Sequence, residues 1–161
     1  MKTIFAEKEQ TVNELYEGLS TEAMAALKEH ERAVTVPAGS KLLEHGVMPE
    51  NLVIVNAGSV DIAVPAAETH VSLGSAGPGK VFGMRATMTG ELPEIDVTCL
   101  DECQVSLIPK DEFKALLQTH PNLYFSVARV LSADLKIADQ LIRDCSRRPT
   151  VADRSKIARR M

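Results

Sequence analysis

Between Ala33 and Pro109 the chain is a series of short apolar runs, each closed by turn-forming residues. Ala33–Val36 alternates as a strand does and ends at Pro37-Ala38-Gly39-Ser40, where proline and glycine favour a turn. Lys41–Glu44 is a second short run, stopped by His45-Gly46. Asn51–Val55 and Val60–Val64 flank Asn56-Ala57-Gly58-Ser59, which reads as a hairpin with Gly58 at positive φ. Glu68–Leu73 and two runs between Val97 and Pro109 complete the set. Many short strands at close spacing predict an all-β sandwich or jelly roll rather than βαβ units.

Both ends have a different period. Thr11–His30 reads as a helix pair, with Leu15, Tyr16 and Leu19 on one stripe and Ser20 capping a second helix. That second helix turns Ala23, Met24, Ala26 and Leu27 inward. After Pro109, Asp111 and Glu112 open a short helix where the dipole favours acids, and Phe113, Leu116 and Leu117 share a face. Pro121 suits the first turn of the next helix, which nothing interrupts from Asn122 to Arg148, a length of about 40 Å. Its apolar positions Val127, Leu131, Leu135, Ala138, Ile142 and Cys145 are spaced 4, 4, 3, 4 and 3. This coiled-coil-like seam predicts a parallel homodimer with Cys145 close to its symmetry mate.

Composition narrows the class. A chain of 161 residues, 45% hydrophobic and 25% charged, suits one domain with a helical extension. No run approaches the ~18 apolar residues of a membrane span, and the charged N-terminus lacks a signal-like core, so a cytoplasmic location is expected. Cys99, Cys103 and Cys145 make an odd number, which fits reduced thiols. Cys99 and Cys103 read as small core residues, a redox or metal pair being the other reading. His30, His45, His70 and His120 lie in no metal-ligand pattern. The net charge of −4 is uneven, about −9 for the body and +5 from Arg143 onward. An acidic body does not bind nucleic acid by itself.

Gly77 to Val97 breaks the strand pattern. Phe82-Gly83 precedes Met84–Met88, a run of helix formers that Gly90 ends. A glycine-led helical turn leaves its first N–H groups without partners and is an anion site in outline. Gly74–Val81 matches the phosphate-loop pattern except at Val81, where Ser or Thr is needed to hold Mg²⁺, so it reads as a glycine-rich turn. Glu91, Glu94 and Asp96 read as an exposed acidic loop rather than as acid–base machinery. No catalytic residue and no metal-ligand set emerges.

In order, Leu19-Ser20 with its helix, Val36–Gly46, Asn51–Ile62, Gly77–Gly83, Cys103–Pro109 and the long final helix are similar to one family. It is the sensor domain of the bacterial catabolite activator and its oxygen-sensing relatives. The resemblance implies a mainly β fold, a double-stranded β-helix (jelly roll) with N-terminal helices and a long C-terminal helix. It makes Gly83, Met84, Arg85, Ala86, Thr87, Glu94 and Asp96 the candidate pocket. In that family a Glu after the cassette glycine holds the ribose 2′-hydroxyl, and an Arg further on pairs with the cyclic phosphate. Here Met84 stands at the Glu position and Pro93 or Glu94 at the Arg position. The cassette is therefore expected to be degenerate, keeping its backbone cradle without its charged contacts. Losing the Arg alone costs about tenfold to a hundredfold in affinity. No cofactor is required, and cyclic nucleotide is expected to bind weakly or not at all.

Two other readings stay open: Arg85 takes the phosphate, or the chain is a ligand-free dimerisation scaffold. Exchanging Met84→Glu together with Glu94→Arg is the variant expected to restore both contacts, with Pro93→Arg for the other register. Family regulators continue into a DNA-binding winged helix, and Thr150–Met161 is similar to the start of its first helix. No DNA binding by this chain alone is expected. The expected organisation is a β-roll over residues 1–121, a dimerisation helix over 122–148 and a basic tail over 149–161, poorly ordered by itself. Its output would be regulatory, with an unnamed small molecule or a partner shifting the cassette and the long helix.

Overall fold

Every strand pairing in the computed structural model, which describes residues 13–147, is antiparallel. The strands are β1 (Arg32–Val36), β2 (Lys41–Leu43), β3 (Asn51–Ala57), β4 (Val60–Ala66), β5 (Thr69–Ala76), β6 (Val81–Phe82), β7 (Asp96–Cys99) and β8 (Cys103–Pro109). Among the described residues four helices accompany them: α1 (Thr21–His30), α2 (Met84–Thr89), α3 (Lys110–Thr119) and α4 (Leu123–Arg147). One sheet has the order β1-β8-β3-β6 and the other β2-β7-β4-β5. This is the expected jelly-roll-like, mainly β fold.

The unbroken apolar run Leu52–Val55 follows from the place of β3, inside its sheet between β8 and β6. Leu52 and Ile54 face a cluster built with Leu27, Met84, Ile108, Phe113 and Leu123, to which α1, α3 and α4 contribute. Val53 and Val55 face a second cluster with Val60, Val97, Cys99 and Val105 from both sheets. Each such side chain, fully buried, contributes about 1.5–3 kcal/mol before entropy is set against it.

The structure corrects two local expectations. Asn56–Ser59 is not a hairpin, because β3 and β4 belong to different sheets. Gly58 does take positive φ, at 95°, but it carries the chain from one sheet to the other. A Cβ there would stand 2.7 Å from the Glu102 carbonyl oxygen and from Cys103 Sγ, so that corner is closed to any side chain. The hairpin lies one step later, where β4 and β5 pair around Ala67-Glu68, with Ala67 at φ 54°. The first member of the expected helix pair is a single turn in the described residues. The Asn13 side chain accepts from Tyr16 N at 2.8 Å, and Gly18 at φ 74° ends the turn. Ser20 caps α1 as expected, accepting from Ala23 N at 3.2 Å.

The chain divides into two compact units, one ending at Leu131 and the other beginning at Ser132. In the first, Leu123, Val127 and Val130 are buried and Leu131 packs against their cluster. Val127 therefore belongs to the core rather than to a free seam. In the second, Leu135, Ile137 and Ile142 are exposed in the single chain. The Cys145 side chain and the tail over 149–161 lie outside the described residues.

Candidate functional site

Two glycines in left-handed conformation frame the cassette helix α2: Gly83 at φ 91° precedes it and Gly90 at φ 76° ends it. A Cβ on Gly83 would stand 3.3 Å from the Asn51 carbonyl oxygen, so the turn sits close against the start of β3. Thr87 N donates to Gly83 O at 3.0 Å and Gly90 N to Ala86 O at 2.9 Å, closing the helix after six residues.

The candidate residues separate into three groups. Met84, Ala86 and Thr87 are buried, and Met84 packs in the cluster shared with Leu52, Ile54 and Phe113. The thioether thus fills the core. The Thr87 hydroxyl is buried without a hydrogen-bond partner among the described residues. The second group is at the surface. Arg85 is 2.5 Å from Glu91 and 3.6 Å from Glu94, with all three side chains more than half exposed. Exposed pairs of this kind contribute roughly 0–1 kcal/mol each, so solvent anions compete readily for the guanidinium.

Asp96 forms the third group and departs from the exposed acidic loop expected of it. It is 4% exposed, and its carboxylate accepts from His45 N at 2.8 Å. His70 Nε2 is 2.9 Å away and Lys41 Nζ 4.0 Å. The His45 N–H holds the Asp96 carboxyl below the usual carboxylate range, with Lys41 and His70 acting in the same direction against burial. Antiparallel register makes this cluster, since Asp96 pairs with Ala63 and His70 with Pro65 on the same strand β4. Nothing in the spacing of the histidines announced it.

A pH dependence follows. Because the folded pKa is depressed, the contribution of Asp96 is full above the unfolded value near 4 and disappears as pH falls through the folded value. Asp96→Asn is expected to cost about 1.5–3 kcal/mol at pH 7, as loss of charged hydrogen bonds does, and progressively less below pH ~4. Melting temperatures of both proteins across pH 2–8 check this, and a pH-independent difference rules it out.

Cys99 and Cys103 are both free and buried in the inter-sheet cluster. Burial pushes the Cys103 thiol up to about 12, which suits a core residue better than a nucleophile. Among the described residues no group of three or more His, Cys, Asp or Glu could hold a metal ion, and no helix is long and apolar enough to cross a membrane.

The family model of the cyclic nucleotide-binding domain matches residues 33–120, from β1 through α3. The chain belongs to that family. Compared with curated proteins it has no match. Among solved structures, the catabolite activator protein of Thermus thermophilus is similar with a TM-score of 0.71 and 19% identity, over 83% of this chain and 63% of that one. The c-di-GMP responsive global regulator CLP of Xanthomonas campestris gives 0.66 and 20%, over 80% and 64%. A regulatory subunit of a cAMP-independent protein kinase A from Trypanosoma brucei gives 0.62 and 18%, over 74% and 42%. These likenesses carry the fold. The chain spans less than two thirds of the length of each of these three proteins.

Proposed function

We propose that this domain is a regulatory sensor whose cassette does not hold cyclic AMP in the family's usual way and whose output passes through a dimer of α4. The observation that carries the reading is the charge at the cassette loop. Pro93 or Glu94 stands where the family resemblance puts a phosphate-pairing Arg, and the cation beside that loop, Arg85, is engaged by Glu91 and Glu94. With two carboxylates and one guanidinium, this cluster repels an anionic phosphate. The same fold occurs in a protein named as c-di-GMP responsive and in one named as cAMP-independent, so the fold leaves the ligand open.

A second reading has support too. Arg85 is exposed on the cassette helix and, among the described residues, is ion-paired with exposed carboxylates that a phosphate could displace. Calorimetric titration of the full chain with cyclic AMP and cyclic GMP separates the two. Weak or no heat is expected. Micromolar binding abolished by Arg85→Ala establishes the second reading instead.

The dimer rests on the exposed part of the seam. Leu135 and Ile142 are 64% and 63% exposed, one heptad apart on a continuous helix. Sedimentation at tens of micromolar is expected to give a dimer that Leu135→Glu dissociates. Leu135 is the better test position because Leu131 also packs against the domain core, where a glutamate would weaken the fold. A native monomer at that concentration excludes dimer signalling.

A further inference from the structure

Among the described residues, Arg129 is a cation built into the fold without a counter-charge. It lies in the first compact unit, on the part of α4 that packs against the β-sandwich. Among the described residues its one hydrogen bond runs from Nη2 to Ser126 Oγ, one turn back, at 3.1 Å. Ser126 is 0% exposed. The Arg129 Nε is buried and has no acceptor among the described residues. Among the described residues no carboxylate is ion-paired with this guanidinium, whereas Lys41, Lys80 and Arg85 each have one.

The turn before α1 lies beside it. Gly18 stands at φ 74°, and a Cβ there would come 2.5 Å from Arg129 Nη1. A side chain at position 18 would meet backbone strain, and the end of the flexible Arg129 side chain would have to move aside for it. Burying a charge without a partner is costly, and a partly buried guanidinium normally has a carboxylate or phosphate on its fork. Arg129 remains partly exposed, so an anion can reach the fork from solvent.

We propose that Arg129, with the Ser126 hydroxyl and the Gly18 turn, is a second binding site, separate from the cassette, for a compact oxyanion, the carboxylate or phosphate group of a small molecule. Occupancy ties the turn before α1 to the root of α4. That is a place from which a ligand influences α4 without touching the cassette.

The test uses the ¹⁵N-labelled full chain, titrated with inorganic phosphate and, separately, with acetate, ionic strength being held constant with chloride. A saturable shift of the Arg129 Nε–H and Gly18 amide resonances is expected with at least one of the two anions. Arg129→Gln should abolish the Gly18 response while the remaining amide spectrum stays native-like. Phosphate should also raise the melting temperature of the native protein more than that of Arg129→Gln, which removes the general salting-out contribution from the comparison. Should Arg129→Gln fail to fold, Ser126→Ala keeps the guanidinium and is expected to weaken the response several-fold. Shifts that stay linear with both anions, or a variant that responds like the native protein, overturn the proposal.

Discussion

Met84→Glu is expected to lower the stability of the domain by about 3–5 kcal/mol, the usual cost of an uncompensated buried charge. Met84 is 1% exposed and surrounded by Leu52, Ile54, Ile108 and Phe113, which offer a carboxylate no donor. For a chain of this size that corresponds to roughly 6–20 °C in melting temperature. The glutamate would partly escape the cost by staying protonated, so its folded pKa would lie above the unfolded value near 4.3. Such a group destabilises least below the unfolded pKa, and the penalty grows as pH rises towards the folded one. The deficit against the native protein should accordingly shrink at pH ~4, and Met84→Leu, which keeps volume and polarity, should cost under about 1.5 kcal/mol. A Met84→Glu variant that melts like the native protein at pH 7 means that the side chain reaches solvent, contrary to this packing. The exchange that family resemblance suggested for restoring the ribose contact therefore damages the core before it can serve a ligand.

Glu94→Arg alone is expected to raise the affinity for cyclic AMP by about tenfold to a hundredfold, the equivalent of one charged hydrogen bond gained. Glu94 is 76% exposed, and among the described residues its one ion pair is with the exposed Arg85, so its replacement leaves the core untouched. The exchange turns a repulsive carboxylate into a planar guanidinium able to grip a phosphate at two oxygens. Glu91 remains to hold Arg85. Calorimetry of native and variant proteins side by side reads the change. If affinity does not move and Pro93→Arg is equally silent, the loop does not face the nucleotide phosphate. The degenerate-contact reading then fails even though the family assignment stands.

Local chemistry was legible in the chain wherever neighbours in sequence supply the controlling interaction. The Ser20 cap, the two glycines around α2, the face of Phe113, Leu116 and Leu117, and the long helix to Arg147 all depend on residues within a turn or two. The order of motifs likewise carried the family, because spacing between turns survives in a linear string. What the string could not hold is which strands become neighbours. Gly58 looked like a hairpin turn because flanking β-branched runs favour strands without specifying a partner, and only the packing of two sheets separates β3 from β4. Asp96 and Met84 show the same division at the site. A carboxylate two residues after Glu94, at the start of β7, resembled loop charge until β4 brought His70 beside it and the loop after β2 supplied the His45 N–H. A methionine aligned with a ligand residue became a core residue because the phase of α2 against β3 and α3 turns it inward. Burial and cross-strand register are properties of the assembled sheets, and they decided which members of one short motif meet solvent, which meet each other and which meet the core.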